Sequence, residues 1–421
     1  AGEAFCNSSP YTLSDLKSRT NQQQLKADFI LYLNGFSQNV QDIIKRFEFR
    51  NQIDKLSEHD ILGLLISKFT DSTVNLSNRP VYDTQGNIVQ PALDNHTMGT
   101  VFEEVIRKFN EETNITDAGR HFTPRDIVEL ITDLAFVPVK DKIQSTTYRI
   151  YDGACGTGGM LTVAEERIQE IAKETDKKIS IHLYGQENSD ETYAIARSDM
   201  LVKGEGTQAN NIFFGSTISN DGFAGESFDF MLSNPPFGTP WKTDLKAWGD
   251  IKKDDITDTR FRVNYKGEDF SLIPDISDPQ MLFLANNISK MKRDTVLGSR
   301  IVEVHNGSSL FTGKAGQGPS NLRQYILEQD LLEKMFYNTG ISTYIWILAN
   351  KKEKRRKGKV QLIDATSFKK PLRKNLGEKN CEVDKTIRDH ILELYMAFDQ
   401  ADERYSKVFA TYEFGYWEVP V

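Results

Sequence analysis

The sequence is poor in the features that define several large classes of protein. It carries three cysteines in 421 residues, Cys6, Cys155 and Cys381. They are far apart, with neither a disulfide framework nor metal-ligand spacing. That excludes a disulfide-stapled scaffold or zinc module and leads us to expect a reducing cytoplasm. The six histidines form no cluster. No run is long and apolar enough to span a bilayer, so no membrane association is expected. Ala1–Pro10 lacks the basic-then-apolar order of a signal peptide. Positive charge is scarce too: 52 Lys and Arg against 60 Asp and Glu leave a formal net charge of -8. A chain that gripped nucleic acid unaided would show a basic surface. The deficit argues against a free-standing binder, though net charge says little about one local groove.

What is present falls into three textures. Residues 1–117 read as a helical N-terminal domain. Val40–Phe47 and Asp60–Phe69 space apolar residues helically, the second as Ile61, Leu64, Leu65, Lys68 and Phe69, and Val101–Phe109 repeats the pattern. A polar loop, Asn75–Asn95, interrupts them. Residues 118–375 alternate strand-like and helix-like pieces. Tyr148–Tyr151, Ile179–Tyr184, Asn211–Phe214, Phe228–Leu232, Arg300–Val304, Thr343–Leu348 and Lys359–Ile363 are short and rich in β-branched or aromatic residues. Met160–Ile171 and Asp190–Val202 are helical patterns between them. This alternation predicts an α/β fold with a largely parallel sheet. Residues 376–421 read as a helical tail, with Ile387, Ile391, Leu394, Phe398 and Tyr405 on one stripe.

The segment Thr147–Met160 reads TYRIYDGACGTGGM. A strand runs into Asp152, then glycines 153, 156, 158 and 159 form a loop, then a helix begins. Such glycines permit positive φ and let a ligand lie against bare backbone. The N–H groups of the helix N-terminus suit an anionic group. A plain strand-to-helix turn remains the alternative. The loop lacks the Gly-Lys-Ser/Thr ending of a P-loop, which argues against triphosphate hydrolysis. Glu187, in YGQEN, closes the next strand, where a doubly wound fold bonds ribose hydroxyls; a helix-capping acid is the rival reading. Cys155 has no nearby histidine to activate it and reads as a packing residue.

Phe228–Gly238 reads FDFMLSNPPFG. The apolar strand stops at Asn234-Pro235-Pro236-Phe237, because Pro-Pro donates no ladder hydrogen bond. The turn is rigid and lies at a strand C-terminus, where α/β folds bind ligands. An exocyclic amine conjugated to a purine is a poor nucleophile. The Asn234 side-chain carbonyl and the Pro235 backbone carbonyl would accept its two N–H groups and turn its lone pair outward. Phe237 would stack on a flipped base. An ordinary Pro-rich loop is the alternative.

DGACGTGG followed by NPPF resembles the amino-methyltransferases that act on adenine in DNA. Met98–Phe109, Gly119–Leu130 (GRHFTPRDIVEL), Gly185–Asn188, Asn306–Gly316 and Met335–Leu348 narrow the resemblance to the modification subunits of type I restriction-modification systems. It extends over nearly the whole chain. It implies a Rossmann-like S-adenosylmethionine-dependent methyltransferase domain that transfers a methyl group to adenine N6 with no metal required. It assigns cofactor binding to His121, Phe122, Thr123, Pro124, Asp152, Gly153, Ala154, Gly156, Thr157, Gly158, Glu187 and Asn234. It assigns catalysis to Asn234, Pro235, Pro236 and Phe237. It also implies DNA and a specificity subunit as partners, a restriction subunit as a further one, and two modification subunits per specificity subunit.

There are departures and open readings. FGST at Phe214–Thr217 puts Ser216 where the family commonly has an acid near the cofactor adenine. LLEK runs straight into MFYNTG where the family has another strand, and the family's further N-terminal helices are not seen. The basic run Lys351–Lys359 reads as a solvated loop or a phosphate contact. The stripe Ile387, Ile391, Leu394 and Phe398 reads as core or as a docking face. Protein-glutamine methylation, which can use the same Asn-Pro-Pro turn, and a non-catalytic scaffold are the rival functions.

Overall fold

The computed structural model describes residues 5–77, 79–93, 101, 105, 123–202, 208–338, 343–376 and 379–416. The chain divides into two compact units, Ala1–Asn114 with Ser189–Ile212, and Ile115–Asn188 with Phe213–Val421. Among the described residues, no helix is long and apolar enough to cross a membrane.

The first unit holds five consecutive helices, α1 (Leu13–Lys17), α2 (Gln22–Asn34), α3 (Gln38–Arg46), α4 (Phe49–Glu58) and α5 (Ile61–Phe69). Local chemistry starts the first two. Thr12 and Asp15 form a reciprocal capping box, and the Asn21 side chain accepts from Gln24 N at 3.0 Å. The core joins Leu16, Leu25, Phe29, Ile53, Leu62 and Ile66. The helix expected over Asp60–Phe69 forms, but the buried face is not the expected one. Leu62 and Ile66 face the core, whereas Leu64 is 66% and Phe69 56% exposed. Apolar residues on both sides of this helix left its inward face undetermined by spacing. The 75–95 segment, expected as a loop, contains a hairpin of Val81–Tyr82 with Ile88–Gln90, its turn carrying Gly86 at φ +85°. A later helix, α6 here (Arg125–Phe136), belongs to the second unit, as does α7 (Gly159–Glu174), but α8 (Asp190–Val202) belongs to the first. It is tied to α3 by Arg46–Asp190 at 2.5 Å and Arg197–Asp42 at 3.1 Å. The Met98–Phe109 motif lies almost wholly outside the described residues.

The second unit is built on a nine-stranded sheet. Its strands are β1 (Thr147–Asp152), β2 (Ser180–Glu187), β3 (Ile212–Phe214), β4 (Phe230–Ser233), β5 (Arg300–Asn306), β6 (Leu332–Asn338), β7 (Thr343–Ala349), β8 (Lys359–Asp364) and β9 (Ser406–Ala410). The order is β9-β8-β6-β7-β5-β4-β1-β2-β3. Strand β1 pairs in parallel with β2 on one side and β4 on the other, and β4 with β5. Strand β7 runs antiparallel to β5 and β6, and β9 antiparallel to β8. The sheet is thus the α/β, Rossmann-like one expected, with antiparallel strands toward one edge. Successive strands are laid outward from β1 in opposite directions, so β1 and β4 flank a topological switch point, where ligands bind beyond the strand C-termini. β4 has all four residues buried, as a strand covered on both faces should. Phe228, Met231, Ile301, Trp346 and Leu348 join the core beneath it.

The structure bears on three of the open sequence readings. The junction of LLEK with MFYNTG is itself a strand, β6, paired with β7 through Met335 and Trp346 and with β8 through Met335 and Leu362. Its charges concealed it, and the fold neutralises them. Glu333 takes Arg300 at 2.9 Å and Arg356 at 3.5 Å, while Lys334 Nζ lies 3.9 Å from the centroid of the Tyr395 ring. The basic run is largely the solvated segment read from sequence, with Lys351, Lys354, Arg355, Lys357 and Lys359 exposed, but two of its members turn inward. Arg356 is 2% exposed, and Lys352 donates to Asp330 at 2.5 Å. Of the two readings of the stripe, core or docking face, the core reading holds for three of its four residues, Ile387 being half-buried. Ile391, Leu394 and Phe398 of α11 and the turn after it are buried, α11 being the last long helix (Lys385–Ala397) after α9 (Gln280–Ser289) and α10 (Gly318–Glu328).

Candidate active site

The C-terminal ends of β1, β2, β3 and β4 carry the residues singled out by sequence. Beyond β1 the chain turns through residues 153–158 into α7. Gly156 sits at φ +55° and Gly158 at φ +85°, a region that glycine enters without strain. A Cβ on Gly156 would meet nothing within 4 Å, so its outer side is open. Ala154 and Thr157 lie in this loop, half-buried.

Two carboxylates fasten the loop. The Asp152 side chain accepts from Ala154 N at 2.9 Å and from the Ser233 hydroxyl at 2.9 Å. It thereby links the end of β1 to the residue before Asn234. Burial pushes its carboxyl up from the ordinary value of 3.8 to about 7, against the lowering effect of those two hydrogen bonds. Glu187, at the end of β2, accepts from Gly156 N at 3.1 Å and from Asn188 N at 2.9 Å. Cys155 is buried, and burial pushes its thiol well up, which suits packing rather than attack.

The loop after β3 closes this side. Gly215 N donates to Glu187 O at 2.9 Å, and the Thr217 hydroxyl to Gly153 O at 2.5 Å. Gln186, fully buried, donates to Gly215 O and Asn220 O. Arg260 clamps the same loop through Thr217 O and Ile218 O, each at 2.7 Å. Ser216, the residue in place of an acid, donates to Asp244 at 2.5 Å. Sequence reading missed Gln186, Thr217, Ser233, Asp244 and Arg260. Only Ser233 and Gln186 had a signal, each adjoining a motif residue.

At the end of β4 the turn Asn234-Pro235-Pro236-Phe237 begins. The Asn234 amide nitrogen donates to the Thr123 hydroxyl at 2.9 Å, bringing Thr123 to the Asn-Pro-Pro turn. Pro124 caps the N-terminus of α6. The Asn234 Oδ1 atom is buried and has no hydrogen-bond partner among the described residues. Pro235 is buried, and Pro236 and Phe237 are half-buried. His121 and Phe122 lie outside the described residues. Among the described residues, no group of three His, Cys, Asp or Glu side chains is placed to hold a metal ion.

A buried carbonyl without a donor costs on the order of 1–3 kcal/mol. Such a group in a rigid turn is an acceptor site for an N–H from outside the chain. Around it are a bare-backbone cradle open at Gly156 and an acid at the neighbouring strand end. That set fits a cofactor with an amino-acid end for the glycine loop and ribose hydroxyls for Glu187.

Comparison with known proteins bears on the family and the fold. The family model described as N-6 DNA Methylase matches residues 93–414. The type I restriction enzyme MjaIX methylase subunit of Methanocaldococcus jannaschii is 24% identical over 345 residues, covering 80% of this chain and 53% of that protein. The chain spans about half the length of the curated relatives it matches. The crystal structure of a type I restriction-modification system methyltransferase subunit from Streptococcus thermophilus superposes with a TM-score of 0.69 at 18% identity, covering 96% of this chain and 77% of that one. A structure from Listeria monocytogenes described as a class I S-adenosylmethionine-dependent methyltransferase gives a TM-score of 0.51 at 13% identity, over 91% of this chain and 97% of that one. These likenesses establish the fold.

Proposed function

The chain belongs to the N-6 DNA methylase family, and from that premise we propose that it methylates the exocyclic N6 of adenine in DNA as the modification subunit of a type I restriction-modification complex. The observation that carries the proposal is the unpartnered Oδ1 of Asn234. Its amide is oriented by Thr123, so the carbonyl is held ready for an incoming amine. The Pro235 carbonyl accepts the second N–H, and Phe237 stacks on the extruded base. Two acceptors on one nitrogen draw its lone pair out of conjugation and point it away from the turn.

Thr123, Pro124, the loop Gly153, Ala154, Gly156, Thr157 and Gly158, and Glu187 hold S-adenosylmethionine, which supplies an electrophilic methyl group. Asp152 acts beneath the loop, fixing its distance from Ser233 and so from Asn234. His121 and Phe122 complete the cofactor side. No covalent attachment to the chain is involved; rate comes from positioning and from the two carbonyls.

Target choice belongs to a specificity subunit, two modification subunits joining each one, with a restriction subunit as a further partner. The net charge of -8 supports this division, since affinity for duplex DNA rests largely on cations at phosphates. The test is transfer of labelled methyl to DNA and to protein, with and without the specificity subunit. Label on DNA that depends on the partner supports the proposal. Label on a protein amide, or strong site-specific labelling by the chain alone, contradicts it.

A further inference from the structure

The loop after β3 holds a carboxylate that no step above uses. Asp244 lies on the short helix Lys242–Ala247, ten residues after Asn234, and is 7% exposed. Its Oδ1 accepts from the Ser216 hydroxyl at 2.5 Å and the Ser219 hydroxyl at 2.7 Å. No Lys or Arg among the described residues forms an ion pair with it, and its other oxygen, Oδ2, accepts no hydrogen bond there. A nearly buried carboxylate is costly unless its oxygens are bonded. Two hydroxyls fix its orientation and leave one acceptor unused.

Its place says what that acceptor can meet. Ser216 lies between Gly215, bonded to Glu187, and Thr217, bonded to Gly153. The carboxylate is therefore anchored one residue from both ends of the cradle. A ligand that sets its amino-acid end on the glycine loop after β1 and its ribose on Glu187 at the end of β2 extends, along the strand order β1-β2-β3, to the end of β3. The group offered there is an acceptor only. It complements the 6-amino group of a purine and repels a 6-oxo group.

We propose that Asp244 determines cofactor specificity by accepting a hydrogen bond from the adenine 6-amino group of S-adenosylmethionine, its free oxygen aimed by Ser216 and Ser219. This rests on the reading of the cradle as the cofactor site. Arg260, which clamps Thr217 and Ile218, is then a positioning residue for the base pocket.

The experiment is calorimetric titration of the full chain with S-adenosylhomocysteine and S-inosylhomocysteine, which differ at the purine 6-position. The wild type should prefer the adenosyl ligand by about ten- to a hundredfold, the range for a hydrogen bond to a charged group. Asp244→Asn, nearly isosteric, replaces an acceptor with an amide that can also donate. It should lose most of that preference while still binding the inosyl ligand, and Asp244→Ala should do the same. If Asp244→Asn weakens both ligands equally and keeps the ratio, the residue only fastens the loop and the proposal is overturned. A wild type that binds both ligands equally overturns it too. A wild type that binds neither overturns the cradle reading itself.

Discussion

The two halves of the site differ in how their polar groups are satisfied. In the cofactor half, the carboxylates of Asp152 and Glu187 each accept two hydrogen bonds from the chain itself. In the Asn-Pro-Pro turn, proposed as the catalytic one, the side-chain carbonyl of Asn234 is buried and accepts none among the described residues. The first arrangement is what a preformed binding surface needs, because its shape is fixed before the ligand arrives. The second leaves a buried acceptor unsatisfied in the resting chain and satisfied once the substrate amine is in place. That difference assigns rigidity to one half and discrimination of the reacting group to the other.

The largest effect should come from obstructing the preformed half. Gly156→Val puts a β-branched residue at φ +55° with its side chain on the open side of the loop. Calorimetry should then detect no S-adenosylmethionine binding by a variant whose circular dichroism is native. Tight binding would show that this loop is not the cradle. Next comes the turn. Asn234→Ala should lower the methylation rate by about a hundredfold or more with cofactor affinity nearly unchanged. A parallel loss of cofactor affinity would erase the distinction between the halves.

A smaller effect should follow from loosening the link between them. Thr123→Val removes the acceptor for the Asn234 amide nitrogen. Releasing the amide should cost about tenfold in rate, the scale of one net hydrogen bond, and single-turnover kinetics should place the loss in the chemical step. An unchanged rate would mean that Pro-Pro rigidity alone orients Asn234.

The mildest effect concerns stability. Asp152 has its carboxyl raised from 3.8 to about 7 by burial. The folded chain therefore holds this proton more tightly than the unfolded chain. The associated stability is fully present below about 3.8 and is lost as pH rises through about 7. Asp152→Asn stays neutral and keeps an acceptor for Ala154 N and Ser233. In urea unfolding, the variant should gain on the wild type as pH rises across that window. Parallel pH profiles would show that burial of this acid carries no such linkage.

The sequence made the parallel half of this architecture plain, because β1 and β4 run into a Gly-rich and a Pro-rich turn and β2 alternates buried Ile181 and Leu183 with exposed residues. The other edge was harder to read. β6 carries Glu333 and Lys334 inside a strand, and only the tertiary partners Arg300, Arg356 and Tyr395 make those residues tolerable there. Glu333 and Tyr395 in turn hold Arg356, buried out of a run that looked solvated. The inward face of α5 was undetermined because Ile61, Leu62, Leu64 and Ile66 are all apolar. In the site, the loop at Gly153–Gly158 and the Asn234-Pro235-Pro236 turn were legible from glycine and proline chemistry and Glu187 from its place at a strand end, whereas Thr123 came only from the family resemblance. Asp244 was not legible: Ser216 stood in FGST, but its link to Asp244 spans 28 residues and Asp244 itself stands in no recognisable pattern.

The central claim is that the free carbonyl of Asn234 receives the adenine amine. Its most direct test is mass spectrometry of nucleosides from duplex DNA treated with methyl-deuterated S-adenosylmethionine, the full chain and its specificity subunit. The account predicts deuterated N6-methyladenine from the wild type and almost none from Asn234→Ala at equal cofactor occupancy. Label on cytosine, label confined to protein, or full adenine labelling by Asn234→Ala would contradict it.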